Sequence, residues 1–360
     1  MKFFNIDMHI SVIEDMKRIF TDLGHTVDDV SLSDHTWVFN REKGSIPLLD
    51  NAKWMSLSCD QMSDLFYETY KDELADYDAF IVTYPAPFAL LYKHFNKPII
   101  VNIPIRYEWP LSFRPSEWEK FNKYITEGVA SGNILLVANN LFDKVYTEAF
   151  IETDIPHIPN VCDYFGESYN PTNSTIVYSS QQKIPELESK GIKYKSDVLK
   201  NYEYKDLMKL KGMVHIPYAG SYMSIFEQYS SNMPMFVPSQ DFLYELYLQG
   251  LAFTDISFRR MYNATDSSPV KTLKGFDPNR YNDESTVKEL ISTSDFYDSE
   301  WMPYIQEFSS FSHLKDLVES TDFKEVSDNM QKFNITKKEN IYAKWELLLR
   351  KVSKLIEKSL

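Results

Sequence analysis

The sequence predicts an α/β protein of two domains, each built on a parallel β-sheet with helices on both faces. The chain has 360 residues, and a single hydrophobic core tends to stop growing at about 250–300 residues. Strand-like and helix-like segments alternate in two successive series, as expected when helices connect parallel strands. Proline, glycine and asparagine are dense at Pro156–Thr172, between the two series. We therefore expect a linker there, with a first domain at residues 1–160 and a second at 161–336.

The first domain is predicted to begin with a strand at Lys2–Asp7. Ser11 is placed to cap a helix that runs to Leu23, with Glu14 completing a capping box and Gly24 ending the helix. The later strands are predicted at His25–Ser33, Asp78–Thr83, Pro98–Ile103 and Ile134–Ala138. The later helices are predicted from Asp60 to Leu74 and at Pro87–Phe95, Ser116–Ser131 and Phe142–Glu152.

The second domain is predicted to repeat the alternation. Its strands are expected at Ser174–Tyr178, Met213–Ile216, Met233–Val237 and Pro303–Phe308. A helix containing Glu227 lies between the second and third of these strands, and another begins near Ser312. Val270–Thr286 is predicted to be a loop.

Residues Lys337 to Leu360 are predicted to form a terminal helix of roughly 36 Å. Its apolar residues share one face: Ile341, Trp345, Leu348, Leu349, Val352, Leu355 and Ile356. Docking of this face on the rest of the protein is the simpler interpretation. The alternative is a basic amphipathic helix that associates peripherally with a membrane.

Composition limits the classes of partner. A formal net charge of −14 and a pI of about 5.0 argue against a nucleic-acid partner or general binding to anionic membranes, because those surfaces attract lysine and arginine. No run of about eighteen apolar residues occurs, so no membrane span is expected. Cys59 and Cys162 show neither metal-ligand spacing nor a disulfide framework. We expect a cytoplasmic protein.

The most informative stretch is residues 213–239. It reads as strand, small-residue loop, helix and strand, a parallel βαβ unit. Ligands of such units bind outside the carboxyl ends of the strands, where a helix N-terminus offers unpaired N–H groups to a phosphate. Glu227 follows within about two turns and is suited to accept hydrogen bonds from a ribose. The candidate residues for binding such a ligand are His215, Gly220, Ser221, Tyr222, Met223, Ser224 and Glu227.

This stretch is similar to the donor motif of the GT-B superfamily of nucleotide-sugar glycosyltransferases. The similarity lies in the order of loop, helix, Glu227 and the small-X-Pro break at residues 232–234. Glu227 matches the motif's second glutamate, which contacts ribose in the family. The first glutamate would fall at Ala219 and is absent, which weakens assignment to the retaining branch. Asn232 stands where glycine is usual, a tolerable change because asparagine also accepts a left-handed backbone.

The resemblance implies two Rossmann-like domains, with the acceptor bound mainly to the first and the sugar nucleotide mainly to the second. It also implies that the C-terminal helix, residues 337–360, returns to the first domain. The expected activity is transfer of a hexose or pentose from a nucleoside-diphosphate sugar, as co-substrate, to a hydroxyl of a glycan or other acceptor. No other cofactor is expected.

A bound metal is not expected. Asp76-Tyr77-Asp78 matches the metal-binding DxD pattern of another glycosyltransferase class. It precedes a predicted strand, however, and therefore lies at the wrong edge of a parallel sheet. The motifs typical of dinucleotide oxidoreductases, P-loop enzymes and α/β-hydrolases are missing from the sequence.

His9 and Asp7 are the candidate catalytic residues. They end the first strand or follow it, so they should lie at the ligand edge of the sheet. An imidazole titrates near neutrality and suits removal of a proton from an acceptor hydroxyl, as in an inverting reaction. Asp7 would orient the imidazole or serve as the base itself. The alternative is a loop histidine bonded to backbone.

Two polar clusters follow other strands of the first domain and are candidates for acceptor binding. The first consists of Asp34, His35 and Trp37, and the second of Arg106, Tyr107 and Glu108. Carboxylates and arginine bind sugar hydroxyls, and aromatic rings stack on sugar faces. The alternatives are an ordinary polar loop for the first cluster and a surface ion pair for the second.

Ser180 and Gln181 follow the first strand of the second domain and are further donor-binding candidates. Their hydroxyl and amide groups suit a diphosphate or the transferred sugar, although a simply capped turn is the alternative. Positive charge for the leaving group is available from Lys183, Arg259 or Arg260 or, instead, from helix N-termini.

Two other functions are compatible with the same residues. A sugar-nucleotide epimerase of the same architecture would bind the same donor and need no acceptor. A non-catalytic carbohydrate-binding protein would use the aromatic and acidic clusters without transferring a sugar.

Overall fold

The computed structural model describes residues 1–200, 202–255, 268–273 and 275–359. Arg259, Arg260 and Leu360 lie outside the described residues. The chain divides into two compact units. Unit 1 comprises Met1–Asn160, Ser268–Asp277 and Asn340–Leu360, and unit 2 comprises Val161–Ser267 and Pro278–Glu339. Ser268–Asp277, which the sequence analysis assigned to the second domain, thus belongs to unit 1, where the Leu273 backbone N–H donates to the Ala149 carbonyl at 2.8 Å.

Unit 1 contains a five-stranded parallel sheet in the order β2-β1-β3-β4-β5. The strands are β1 (Lys2–Asp7), β2 (Thr26–Ser31), β3 (Ala79–Val82), β4 (Ile99–Ile103) and β5 (Ile134–Ala138). All five residues of β4 are buried, as expected for a strand covered on both faces. The predicted strand at Ile134–Ala138 has the bounds that the structure gives to β5.

The helices of unit 1 cover both faces of this sheet. They are α1 (Ile10–Asp22), α2 (Cys59–Tyr70), α3 (Pro115–Ser131) and α4 (Leu141–Glu148). Shorter 3-10 segments lie at Thr36–Phe39, Asp50–Ser56, Ala86–Phe95 and Leu111–Phe113.

Two predicted helix starts differ from the structure. Helix α1 begins at Ile10 with His9 as its N-cap and no side-chain cap. The Ser11 capping box therefore does not form, because Ser11 is already inside the helix. Helix α2 is capped by Ser58 and not by Asp60. The Ser58 hydroxyl accepts from the Gln61 backbone N–H, and the Gln61 side chain accepts from the Ser58 N–H.

Unit 2 contains a second five-stranded parallel sheet in the order β10-β9-β8-β6-β7. The strands are β6 (Ile176–Ser179), β7 (Lys193–Tyr194), β8 (Gly212–His215), β9 (Met235–Pro238) and β10 (Gln306–Phe308). The short edge strand β7 was not predicted, because two residues without an apolar run carry no strand signal. Together the two sheets confirm the two Rossmann-like domains that the resemblance implied.

The helices of unit 2 include α8, which follows β8. They are α5 (Pro185–Ser189), α6 (Lys195–Val198), α7 (Tyr204–Leu207), α8 (Met223–Ser230), α9 (Gln240–Leu248), α10 (Glu284–Ser292) and α11 (Phe311–Ser320), with a 3-10 segment at Asp295–Tyr297. Helix α10 begins inside the predicted loop because the Asp283 carboxylate caps it, accepting from the Thr286 backbone N–H at 2.9 Å.

The terminal helix α12 (Phe323–Ser359) has 37 residues and starts well before the predicted Lys337. Its first part belongs to unit 2, where the Asn334 amide donates to the Tyr229 carbonyl at 2.9 Å. Its last part belongs to unit 1, where Trp345 packs edge-on against Phe20 with ring centroids 5.2 Å apart. The implied return of the helix to the first domain is therefore observed. Within the ranges given above, no helix is long and apolar enough to cross a membrane.

Strand order places a ligand crevice in each unit. Numbered along its own segment of chain, each sheet has the order 2-1-3-4-5. The first and third strands are neighbours, and chain leaving their carboxyl ends turns to opposite sides, which opens a crevice there. Residues after β1 and β3 flank the crevice of unit 1. Residues after β6 and β8 flank that of unit 2.

Candidate functional site

Asp7 connects three strand ends at the crevice of unit 1. It is the last residue of β1 and is fully buried. Its carboxylate accepts hydrogen bonds from the His9 backbone N–H at 2.7 Å, the Thr83 hydroxyl at 2.7 Å and the Ser31 hydroxyl at 3.3 Å. Burial raises the pKa of Asp7 to about 7, although these hydrogen bonds act in the opposite direction.

This environment argues against Asp7 as the base. A carboxylate with no exposed surface and three intramolecular donors does not meet an acceptor hydroxyl. Its bond to residue 9 is made to the backbone N–H, and across the described residues no bond from Asp7 to the His9 ring is recorded. Asp7 was predicted to orient the imidazole. Its bond to the His9 backbone N–H instead suits fixing the turn at which His9 lies.

His9 lies at the carboxyl edge of the sheet with an exposed surface. It is the N-cap residue of α1, and its ring meets Tyr84 edge-on at a centroid distance of 5.9 Å. Desolvation by surrounding protein lowers the pKa of the imidazole. A lowered pKa favours the neutral ring, which is the form that accepts a proton.

The first acceptor cluster lies on the surface after β2. Asp34 and His35 are exposed, and Trp37 is 68% exposed. Asp34 pairs with Lys43 at 2.6 Å, and this hydrogen bond lowers the pKa of the carboxyl. The indole ring of Trp37 is therefore available for stacking.

The second cluster, Arg106, Tyr107 and Glu108, is buried inside unit 1. The Arg106 guanidinium lies 4.7 Å from the centroid of the Phe142 ring. The Tyr146 hydroxyl donates to Glu108 Oε1 at 3.0 Å. The prediction that these residues bind an acceptor is not supported, because a sugar would have to open the core to reach them. Their charges and rings form a polar network within that core.

In unit 2 the chain leaving β8 forms a loop that ends at α8. Tyr222 is the N-cap of α8 in an extended conformation, without a side-chain cap, and the first turn holds no acidic residue. Tyr222 therefore supplies no side-chain cap to the first backbone N–H groups of α8. Such an end attracts an anion through its N–H groups and the positive end of the helix dipole.

His215, the last residue of β8, is hydrogen-bonded to Tyr222 at the end of this loop. It is buried, its Nε2 lies 2.9 Å from Gln228 Oε1, and its Nδ1 lies 3.0 Å from the Tyr222 hydroxyl. An amide oxygen only accepts, so we assign the proton to Nε2 and let Nδ1 accept from Tyr222. Burial lowers the pKa of His215 to about 4. His215 was predicted to bind the donor; its position instead suits holding Tyr222.

Two tyrosines form a stacked pair beside the start of α8. The rings of Tyr218 and Tyr222 are 5.0 Å apart at 25°, and Tyr218 is 39% exposed. Gly220 is buried, and its carbonyl accepts from the Asp295 backbone N–H at 3.2 Å. Ser221 and Ser224 are half-buried, whereas the Met223 side chain is buried. Tyr218 was not predicted, and its only signal in the sequence was its position in the loop that follows β8.

Glu227 lies on the second turn of α8 and is half-buried. Its Oε1 accepts a hydrogen bond from the Tyr164 hydroxyl at 2.5 Å. Tyr164 was missed because it lies 63 positions away in sequence. The candidate ribose acceptor therefore has an aromatic partner that limits its orientation.

Ser180 and Gln181 follow β6, the neighbour of β8, at the same edge of the sheet. The Ser180 hydroxyl donates to the Gln182 carbonyl, which favours a capped turn for Ser180. Gln181 is exposed. Lys183 pairs with Asp197 at 2.6 Å, so its charge is already compensated.

The residues that could hold a metal are not grouped. Over the described part of the chain, no cluster of three or more His, Cys, Asp or Glu side chains has metal-binding geometry. Asp78, from the DxD-like tripeptide, accepts the Lys2 backbone N–H at 2.7 Å at the amino end of the sheet. It therefore lies at the edge opposite the crevice.

No protein-family model and no curated protein matches the chain. Solved glycosyltransferase structures match nearly its whole length. The glycosyltransferase of kitacinnamycin has 12% identity and a TM-score of 0.45, covering 98% of this chain and 99% of its own. VinC, in complex with DTDP, has 11% identity and a TM-score of 0.44, covering 98% and 100%. SnogD from Streptomyces nogalater has 10% identity and a TM-score of 0.39, covering 89% and 98%. At such identities these likenesses do not identify the substrates of this chain.

Proposed function

We propose that this protein is a GT-B glycosyltransferase that transfers a sugar from a nucleoside-diphosphate sugar to a hydroxyl acceptor without a metal ion. One observation carries the proposal. At the crevice of unit 2, the N-terminus of α8, which has no side-chain cap from Tyr222, is followed one turn later by Glu227. This pairs a site for a diphosphate with a carboxylate suited to the adjoining ribose.

The donor chemistry follows from these two groups. The backbone N–H groups at the start of α8 would donate hydrogen bonds to the oxygens of the diphosphate. Glu227 would accept from ribose hydroxyls while Tyr164 keeps its bond, because a carboxylate has about four lone-pair positions. Gln181 is exposed after the neighbouring strand and suits a contact with the transferred sugar.

His9 is the proposed base, and the proposed reaction is inverting. The acceptor oxygen forms a bond to the sugar's anomeric carbon while the bond from that carbon to the diphosphate oxygen breaks. His9 takes the hydroxyl proton, and the α8 N-terminus stabilises the negative charge that develops on the departing diphosphate. Asp34, His35 and Trp37 are the proposed acceptor contacts, and a glycan is the proposed acceptor. Asp7 is a positioning residue in this scheme.

The proposed location is the cytoplasm. Cys59 and Cys162 are not joined in a disulfide, which fits a reducing compartment. Burial raises the pKa of the Cys59 thiol to about 12, so this cysteine stays protonated and unreactive.

Nucleotide binding tests the proposal. Calorimetric titration with UDP, dTDP, GDP, ADP and CDP should give saturable binding for at least one of them, and the corresponding nucleotide sugars should then be screened for transfer. Absence of binding to the whole panel and to its sugars would remove the basis of the proposal. Mass analysis separates the alternatives: an epimerase alters the donor without an acceptor, and a carbohydrate-binding protein alters neither.

A further inference from the structure

The last part of α12 presents a row of cations on its outer face. Ile341, Trp345, Leu348, Leu349 and Val352 are buried in unit 1. On the other side an exposed row repeats at intervals of three and four residues, and such positions lie along one side of a helix. We call this row the cationic stripe: Lys344, Leu347, Lys351, Lys354 and Lys358. It extends roughly 21 Å along the helix.

The stripe differs in charge from the rest of the chain. Residues 337–360 hold seven Lys and Arg and three Asp and Glu, a net charge of +4, in a chain whose total is −14. Glu346, beside the stripe, is paired with Arg350 at 2.8 Å. Among the described residues, no ion pair is recorded for Lys351 or Lys354, and both are exposed. Their positive charge is therefore directed to solvent.

An apolar residue and a cleft lie within this cationic surface. Leu347 is 60% exposed. Beside it is a cleft with a volume of about 180 Å³. Its lining is apolar except for His157 and the two flanking lysines: Pro156, His157, Ile158, Lys344, Leu347, Leu348 and Lys351. Lys344 Nζ donates to the His157 carbonyl at 3.1 Å, which keeps this lysine at the cleft margin.

We propose that the cationic stripe and its cleft dock on an anionic membrane surface. Lysines bind the lipid headgroups while their aliphatic stems and Leu347 contact the acyl boundary. Each lysine held near such a surface strengthens binding about fivefold. The positive charge of the row, in a chain with a net charge of −14, is complementary to the negative charge of such a surface. An acidic protein partner is the competing outcome. The proposal is independent of nucleotide binding.

Vesicle co-sedimentation tests this docking with the full chain. The protein should bind phosphatidylcholine vesicles that contain phosphatidylserine, should not bind pure phosphatidylcholine vesicles, and should be released by salt. The double variant K351Q/K354Q should bind about 30-fold more weakly, because two lysine contacts are lost. Its matched control is K71Q/K123Q, which removes the same charge at two lysines of unit 1 whose side chains are 40% and 74% exposed. The control should bind like the wild type.

A second pair of variants tests the apolar contact. L347S should weaken vesicle binding severalfold, whereas L248S removes an equally exposed leucine of α9 and should not. Circular dichroism and nucleotide titration of every variant show that the fold and the donor site persist. Three results would each overturn the proposal. They are equal binding to neutral and anionic vesicles, an equal loss of vesicle affinity in the stripe and control variants, and no vesicle binding at all. Stripe-dependent binding to polyglutamate without binding to vesicles would also overturn it and would indicate a protein partner.

Discussion

The Tyr164 hydroxyl donates a hydrogen bond to Glu227 Oε1 at 2.5 Å, which joins the first residues of unit 2 to the helix of the proposed donor site. Tyr164 is half-buried, and its ring packs edge-on against Phe165 at 4.9 Å. A carboxylate on an otherwise mobile side chain is thereby held in one direction. We infer that Tyr164 prepares Glu227 for the ribose.

Removing the Tyr164 hydroxyl should therefore weaken nucleotide binding. For Tyr164→Phe we expect the Kd of a ribonucleoside diphosphate to rise about threefold to tenfold, the equivalent of one hydrogen bond. Calorimetric titration measures this change. If Tyr164 acts through Glu227, the substitution adds nothing in a Glu227→Ala background. Tighter binding by the single variant would instead mean that Tyr164 competes with the ribose.

Replacing His9 by alanine should abolish transfer without affecting donor binding. A general base contributes about 10²-fold to 10⁴-fold to the rate, so kcat should fall by that factor while nucleotide Kd stays constant. His94→Ala is the matched control, because His94 lies on the surface of unit 1 and pairs with Asp64. Equal activity of the His9 and His94 variants would exclude His9 as the base.

Asp7 makes the stability of unit 1 depend on pH. Its pKa is about 7 in the folded protein and about 4 in an unfolded chain. The folded state therefore binds the extra proton between these values, so Asp7 contributes most stability below about pH 4 and loses it as the pH rises to about 7. Across this pH range the free energy of unfolding of the wild type should fall by up to about 4 kcal/mol relative to that of Asp7→Asn.

Urea denaturation of both proteins at several pH values measures this difference. A difference that does not change between about pH 4 and 7 would contradict the raised pKa. His9 should show the effect indirectly, because protonation of Asp7 weakens the bond that holds the His9 backbone N–H.

His215 is predicted to stabilise the donor loop without titrating at physiological pH. Replacing it by leucine leaves the buried Gln228 amide oxygen without its donor, which should cost about 1–3 kcal/mol of unfolding free energy. Leucine at both positions 215 and 228 should recover part of this loss, because the Gln228 amide is then gone, whereas the Tyr222 hydroxyl still lacks the acceptor at position 215. The destabilisation should not vary above about pH 5, because the pKa of His215 is about 4. Denaturation of the two variants at several pH values checks both statements.

The alternation of apolar strands and helices was sufficient to predict both parallel sheets. Ile134–Ala138 is a continuous apolar run between turn residues, and such a short run is typical of a buried strand. The two-residue strand β7 lacks that signal, and its partner is known only when the fold forms. Sequence patterns therefore predict strands that contain a run of apolar residues. They miss strands that form only because they pair with a neighbouring strand.

The candidate site also contains features that are local in sequence and features that depend on the fold. The loop and helix around Glu227 are local in sequence and were predicted, as was the place of His9 at a strand end. The Arg106 guanidinium packs on Phe142, a residue of α4 that is distant in sequence. The sequence shows only the aromatic neighbours of Arg106 in the chain, and these were interpreted as a sugar-binding surface. Tyr164 and Glu227 meet only through the fold. Charge and aromatic content alone do not distinguish a core network from a binding surface.

The most direct test of the proposed donor site is the affinity of Glu227→Ala for a ribonucleoside diphosphate and for its 2′,3′-dideoxy counterpart. Glu245→Ala, an exposed glutamate on α9, is the control. Loss of hydrogen bonds to a charged group should weaken ribonucleotide binding by about 10-fold to 100-fold in the Glu227 variant. Dideoxynucleotide affinity should match the wild type in both variants. Unchanged ribonucleotide affinity in Glu227→Ala would contradict the ribose role and, with it, the proposed donor site.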